Sequence, residues 1–134
     1  MPNGYSLGFI TTYGGVNTVQ NIKTNVVYQC GTLTLPSGNW LIIANFSYAI
    51  GAPTTITHAR HSISKTVSTI DPNCANQTHN SIVITASTIG LQLLLPVNLV
   101  TASTTYYMYS SFTFTPTSNI LPSSYSSFVG FRVG

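Results

Sequence analysis

The stretch from Gly31 to Ile50, GTLTLPSGNWLIIANFSYAI, constrains the fold more than any other part of this chain. Polar and apolar residues alternate up to a Pro-Ser-Gly-Asn turn at 36–39, and a longer run of apolar, β-branched and aromatic residues starts at Trp40. Proline sets φ at one corner of a turn, and glycine tolerates a positive φ at another. The pattern therefore predicts a β-hairpin whose two arms lie on either side of this turn, with no helix nearby.

Charged residues are scarce throughout the sequence. The 134 residues are 43% hydrophobic and 4% charged, whereas about one quarter of an ordinary globular domain is charged. The hydrophobic content excludes a disordered chain, so Ser, Thr, Asn and Gln must supply the polar surface. Because Thr, Tyr and Val favour strands, we expect an all-β protein, with residues 1–134 forming a single domain.

Neither a nucleic acid nor a membrane is expected as a partner. The net charge is +3, but Lys23, Arg60, Lys65 and Arg132 are scattered along the chain. A nucleic-acid-binding protein carries its basic residues in a stripe or cluster, so we expect no nucleic-acid partner. No window approaches the about 18–20 apolar residues of a membrane span, and the start MPNGYSLGF lacks the features of a secretory signal. We therefore expect no membrane partner.

Strand-like segments and turn signals alternate along the whole chain. Strands are predicted at 5–13, at one or two places within 16–35, and at 39–50, 54–70, 81–87, 89–95, 104–115 and 127–134. This rhythm of short strands is typical of an antiparallel β-sandwich or barrel.

Several of these segments carry more specific expectations. Neither face of 54–70 is cleanly apolar, which predicts a solvated outer or edge strand with surface histidines. Pro96 is expected to end the strand at 89–95, and 71–80 is expected to be a loop. The apolar C-terminal strand, with Phe128 and Phe131, should lie inside a sheet because a terminal segment frays unless it is docked.

Two segments, about a quarter of the chain, carry a resemblance to a known family. These are the Pro/Ser-Gly turn followed by a strand that opens with Trp40, and the terminal Ser-Phe-x-Gly-Phe at 127–131. They resemble the tumour necrosis factor (TNF) and complement globular-head superfamily of trimeric jelly rolls. The low charge and the closing Arg-Val-Gly at 132–134 are similar to versions of that fold in phage and virus heads, fibres and minor capsid proteins. The family's Gly-Asp before its penultimate strand is replaced by Ser103-Thr104, so no acid-dependent metal site is implied.

The resemblance implies a homotrimer that packs aromatic and aliphatic residues around a threefold axis. A sandwich of this size has one inner layer, and interfaces favour aromatic over charged residues at their centre. The residues assigned to the trimer interface or the core are Tyr28, Trp40, Tyr107, Tyr109, Phe112, Phe128 and Phe131.

Catalysis and cofactors are not expected. Asp71 is the only acidic residue, which excludes paired carboxylates, and no motif surrounds a serine nucleophile. His58 and His61 lie three apart, so on a strand they face opposite sides and cannot share a metal. We expect no cofactor and no metal site. Cys30 and Cys74 can be free buried thiols, which is the default, or a disulfide; the sequence leaves both open.

Together with these observations, the resemblance implies a non-enzymatic viral structural protein located in the virion. It would be a homotrimeric TNF-like jelly-roll head, fibre or minor capsid component that contacts other virion proteins and takes part in host attachment. Loops at 51–55, 71–80 and 116–126 would contact a host glycan or receptor through neutral side chains; the candidate binding residues are Asn73, Asn76, Gln77, His79 and Asn119. The alternatives are a carbohydrate-binding, lectin-like β-sandwich that acts alone and a jelly roll that tiles into closed shells.

Overall fold

Two antiparallel β-sheets pack face to face in the computed structural model, which describes residues 11–16, 22–50, 54–78, 82–84, 88–115, 120–122 and 126–133. In chain order the strands are β1 (Thr11–Tyr13), β2 (Gly15–Val16), β3 (Tyr28–Leu35), β4 (Gly38–Ile50), β5 (Thr54–Ser64), β6 (Ala75–Thr78), β7 (Ile82–Ile84), β8 (Thr88–Val100), β9 (Thr104–Thr115), β10 (Ile120–Pro122) and β11 (Ser127–Arg132). A single 3-10 turn, Pro72–Cys74, precedes β6. The all-β antiparallel sandwich is confirmed.

Sheet A has the strand order β1-β11-β4-β8, and β10 pairs with the C-terminal part of β4 on the β11 side. Strand β11 is hydrogen-bonded to β1 on one edge and to β4 on the other. The prediction that the C-terminal strand lies inside a sheet is therefore confirmed.

Sheet B has the order β2-β3-β9-β5, with β7 and β6 one after the other along the outer edge of β5. The strand predicted at 104–115 matches β9 residue for residue. The inner faces of both sheets supply one apolar core, to which β4 and β9 contribute every second residue.

The predicted hairpin at residues 31–50 is wrong, although both of its strands exist. Strand β3 pairs with β2 and β9 in sheet B, whereas β4 pairs with β8, β10 and β11 in sheet A. The turn at 36–37 therefore crosses from one sheet to the other. This crossing places the apolar side of β3 opposite that of β4, so that Leu35 and Trp40 are both fully buried.

Close approach at this crossing depends on a glycine in β11. A Cβ added at Gly130 would lie 2.8 Å from Leu35 Cδ2 and 3.2 Å from Trp40 Cε3. Glycine at this position lets the last strand pack against the crossing, which gives the Ser-Phe-x-Gly-Phe motif a structural role.

Substituting Gly38, the first residue of β4, is expected to destabilise the protein. Its φ of +146° suits glycine, and an added Cβ would lie 2.9 Å from Arg132 Nε. We expect Gly38→Ala to lower the free energy of unfolding by about 1–3 kcal/mol, measured by urea denaturation. Gly15→Ala is the matched control because no atom lies within 4 Å of its added Cβ. Equal urea midpoints for the two variants would contradict this account.

Three expectations about individual strands are corrected. Strand β5 is an inner strand of sheet B between β9 and the β6/β7 pair, and Ile63 on it is buried, so it is neither an edge strand nor mostly solvated. Strand β6 occupies part of the expected loop at 71–80. Pro96 does not end β8, because the register of β8 against β4 shifts between Trp40 and Ile42, and a bulge accommodates a proline that cannot donate to the ladder.

Among the residues that the structure describes, no helix is long and apolar enough to span a membrane.

Candidate functional site

Four polar side chains meet inside the apolar core and form what we call the buried polar cluster: Cys30 on β3, Tyr48 on β4, His61 on β5 and Ser110 on β9. The Ser110 hydroxyl lies 3.0 Å from His61 Nδ1 and also hydrogen-bonds to the Tyr48 hydroxyl. Tyr48 Oη is 3.3 Å from His61 Nδ1, and Cys30 Sγ donates to Ser110 Oγ at 3.4 Å. The cluster therefore ties sheet A to sheet B through hydrogen bonds.

Burial keeps the members of this cluster uncharged. Desolvation lowers the pKa of His61 to about 4 and raises the pKa values of Cys30 and Tyr48. The imidazole also packs against three aromatic rings, with centroid distances of 5.1 Å to Phe46, 5.5 Å to Tyr48 and 5.3 Å to Phe112. A neutral imidazole fits this environment, whereas an imidazolium does not.

The chemistry available to the cluster is limited by access. A serine hydroxyl 3.0 Å from an imidazole nitrogen is the contact of a nucleophile and its general base. Ser110 is 0% exposed, however, and the Cys30 thiol is buried with a raised pKa, so it is not poised as a thiolate. The geometry therefore suits mutual satisfaction of polar groups within the core.

Three of the seven residues assigned to the trimer interface or the core lie in the core. Trp40, Phe112 and Phe128 are at most 1% exposed in the single chain. Tyr28 is half-buried and packs against the apolar core. The Trp40 indole N–H donates to the Pro36 carbonyl oxygen at 3.0 Å. The rings of Trp40, Phe112 and Phe128 are therefore covered within one chain.

Tyr107 and Tyr109 lie on the outer face of sheet B, away from the core. Their rings stack, with centroids 5.7 Å apart and planes inclined by 22°. Tyr109 is 1% exposed, and its hydroxyl accepts a hydrogen bond from the Ser68 backbone N–H at 2.7 Å. Tyr107 remains half-buried beside it.

Phe131 belongs to a group on the other outer face, which we call the outer apolar face of sheet A. The group comprises Tyr13, Leu41, Ile43, Leu99, Val129 and Phe131. The register places Val129 opposite both Tyr13 and Ile43, and Phe131 opposite Leu41. Tyr13 is 78% and Leu99 64% exposed. An apolar row that crosses three neighbouring strands thus faces outward.

Three of the five candidate binding residues, Asn73, Asn76 and Gln77, lie in the part of the chain that the structure describes. Asn73 is exposed in the 3-10 turn, where its backbone N–H donates to the Asp71 carboxylate. Asn76 and Gln77 lie on β6 instead of in a loop, and His79 and Asn119 lie outside the described residues. Within the described ranges, no group of three His, Cys, Asp or Glu side chains is arranged to hold a metal ion.

The sequence analysis missed the buried polar cluster and assigned the histidines to the surface. This assignment is wrong for His61, which is 6% exposed, while His58 is half-buried. The sequence did contain a signal for the burial of His61, since His61 shares its side of β5 with the apolar Ile63. The partners of His61 lie on two other strands, β4 and β9, which no local pattern connects to β5. Cys30 is a free buried thiol.

The chain matches no protein-family model, and no curated protein has a significantly similar sequence.

Proposed function

We propose that this chain is a non-enzymatic viral structural protein, a homotrimeric TNF-like jelly roll that serves in the virion as a head, fibre or minor capsid component and takes part in host attachment. The outer apolar face of sheet A carries this proposal. Its side chains are uncharged and several are large, as expected for the centre of a subunit interface. A face of this kind is more stable when a second copy of the chain covers it.

Strand pairing supports the jelly-roll part of the proposal. Strand β1 pairs with β11, β3 with β9, β4 with β8, and β5 with β6 and β7. Early strands therefore pair with late ones in nested order, and consecutive strands β3, β4 and β5 alternate between the sheets. A long antiparallel ribbon that is rolled into two layers has this connectivity.

The low charge supports the assembly part. Only four Lys or Arg residues and one acid are present, so ion pairs cannot supply a large share of an interface. Association should instead depend on apolar burial, which salt screening does not weaken. The burial of Ser110 and His61 in the core supports a non-enzymatic role, because a substrate would have to enter the sandwich to reach them.

Sedimentation equilibrium tests the assembly directly. We expect a particle of three times the 14.4 kDa chain mass, unchanged between low and high salt. Tyr13→Glu, which places a charge on the outer apolar face of sheet A, should weaken the trimer at least about tenfold, or about 1.4 kcal/mol. Circular dichroism should show that the β structure is retained.

Val67→Glu is the matched control, since Val67 is 60% exposed and lies in the connection after β5, away from sheet A. It should leave the trimer intact. A stable monomer of the wild-type chain would overturn the proposal and favour the lectin-like alternative. A trimer that Tyr13→Glu leaves unchanged would place the interface on a different surface.

A further inference from the structure

The tyrosine stack on the outer face of sheet B has a fixed end and an open end. Tyr109 is the fixed end, because it is buried and the Ser68 N–H holds its hydroxyl. Ser68 has a φ of +57°, so the connection after β5 adopts a left-handed conformation at the residue that makes this contact. The connection thus positions Tyr109 and, through ring stacking, Tyr107.

Tyr107 forms the open end of the stack. One side of its ring is covered by Tyr109, and its cross-strand neighbours are small hydroxyl residues, Thr32 on β3 and Ser64 on β5. The next outward-facing position on β9 is Thr105, which has a short side chain. Among the described residues, the stack of rings therefore ends at Tyr107.

Hydroxyl groups border this position. Thr105 pairs with Thr34 on β3, and their Oγ1 atoms are 2.9 Å apart. Thr34 is exposed, and each hydroxyl keeps further capacity to donate or accept. A ring seated on Tyr107 would thus meet a pair of neutral hydrogen-bonding groups at its edge.

We infer that Tyr107, together with the Thr34–Thr105 hydroxyl pair, binds a neutral pyranose residue of an oligosaccharide. The apolar face of a pyranose packs on an aromatic ring, and its hydroxyls match the donor and acceptor capacity of threonine. The inference places sugar binding on the sheet face instead of the loops, and it does not depend on trimer formation.

Charge favours a neutral sugar over other ring-bearing ligands. Nucleic-acid bases also stack on tyrosine, but their phosphates require several Lys or Arg residues nearby. Arg60, on the outward-facing side of β5, is separated from Tyr107 by the Ser62–Tyr109 row, and Lys65 Nζ lies 5.7 Å from the ring centroid of the inward-facing Tyr106. Carboxylate-held calcium, a common device for sugar binding, is excluded by a sequence with one acidic residue.

Titration of the ¹⁵N-labelled protein, followed by NMR, tests the inference. The probes are cellohexaose, maltohexaose and chitohexaose as neutral oligosaccharides, with a sialylated lactose and an oligouridylate as charged ones. We expect at least one neutral probe to bind with a dissociation constant of about 1 mM or tighter. The amide shifts should centre on Thr34, Thr105 and Tyr107.

Variants identify the stacking ring. Tyr107→Ala should weaken binding at least about tenfold, whereas Tyr107→Phe should stay within about threefold of wild type because it keeps the ring. If Tyr107→Ala disturbs the fold, Thr34→Val combined with Thr105→Val removes the hydroxyls and should also weaken binding. Tyr13→Ala truncates an exposed tyrosine on sheet A and should leave sugar binding unchanged, whatever it does to assembly.

Three outcomes would overturn the inference. They are the absence of shifts with every neutral probe, shifts that persist in Tyr107→Ala, and tighter binding of either charged probe. Since Tyr13→Glu tests assembly on the opposite sheet, a failure of sugar binding leaves the trimer proposal standing, and a failure of the trimer leaves sugar binding standing.

Discussion

Trp40→Ala is expected to lower the free energy of unfolding by about 3–5 kcal/mol. Trp40 is 0% exposed and lies where the chain crosses from sheet B to sheet A. The substitution leaves a cavity beside Gly130 and Leu35 and removes the hydrogen bond to the Pro36 carbonyl. Domains of this size are stable by about 5–15 kcal/mol, so the variant should lose a large share of its stability.

Chemical denaturation followed by far-UV circular dichroism measures this loss, because the variant has no tryptophan to report by fluorescence. Val67→Ala is the control for truncation of an exposed side chain and should change stability by no more than about 0.5 kcal/mol. Trp40→Phe should lie between the two, since it keeps an apolar ring but loses the indole N–H. A Trp40→Ala variant as stable as Val67→Ala would show that the crossing is not packed as described.

Acidification from pH 7 to pH 4 is expected to cost the protein about 3 kcal/mol through His61 alone. The pKa of His61 is about 4 in the folded chain, below the usual 6.5 of an unfolded histidine. The unfolded state therefore binds more protons than the folded state between these values. Stability is full above about pH 6.5, falls as the pH drops through this window, and levels off below about pH 4.

This protein is well suited to the measurement because Asp71 is its only acidic side chain. Carboxylates dominate acid unfolding in ordinary proteins, and here that contribution is nearly absent. The free energy of unfolding, measured by urea at several pH values, should decline in wild type. It should be nearly flat in His61→Gln, although that variant is less stable at neutral pH. A slope that survives in His61→Gln would contradict the assignment.

Local patterns predicted the strands well because one side of a strand faces the apolar core and the other side faces water. The alternation in 104–115 matched β9, and the docking of the C-terminal strand followed from its apolar residues. Phe112 and Phe128, which the sequence analysis assigned to the core or an interface, are buried. These features depend only on side-chain direction along one strand, which has a period of two residues.

Partner choice was not predictable from the same patterns. A strand, a turn of suitable residues and another strand describe a hairpin and a crossing between sheets equally well. The difference lies in which distant strands occupy the edges of β3 and β4. Likewise, the polar residues of β5 indicate a solvated strand, but in the structure they are buried. Ser62 is hydrogen-bonded to the Asp71 backbone, and His61 belongs to the buried polar cluster.

The sequence alone determined that this chain is built from strands, that its surface is nearly uncharged and that its last strand is docked. Composition and period-two alternation are local properties, and they suffice for these conclusions. Only the tertiary structure decided that residues 31–50 cross between sheets, that four polar side chains meet in the core, and that Tyr107 faces outward next to the Thr34–Thr105 row. Hydrogen bonds between strands join residues far apart in the chain, so these arrangements are set by the whole sandwich.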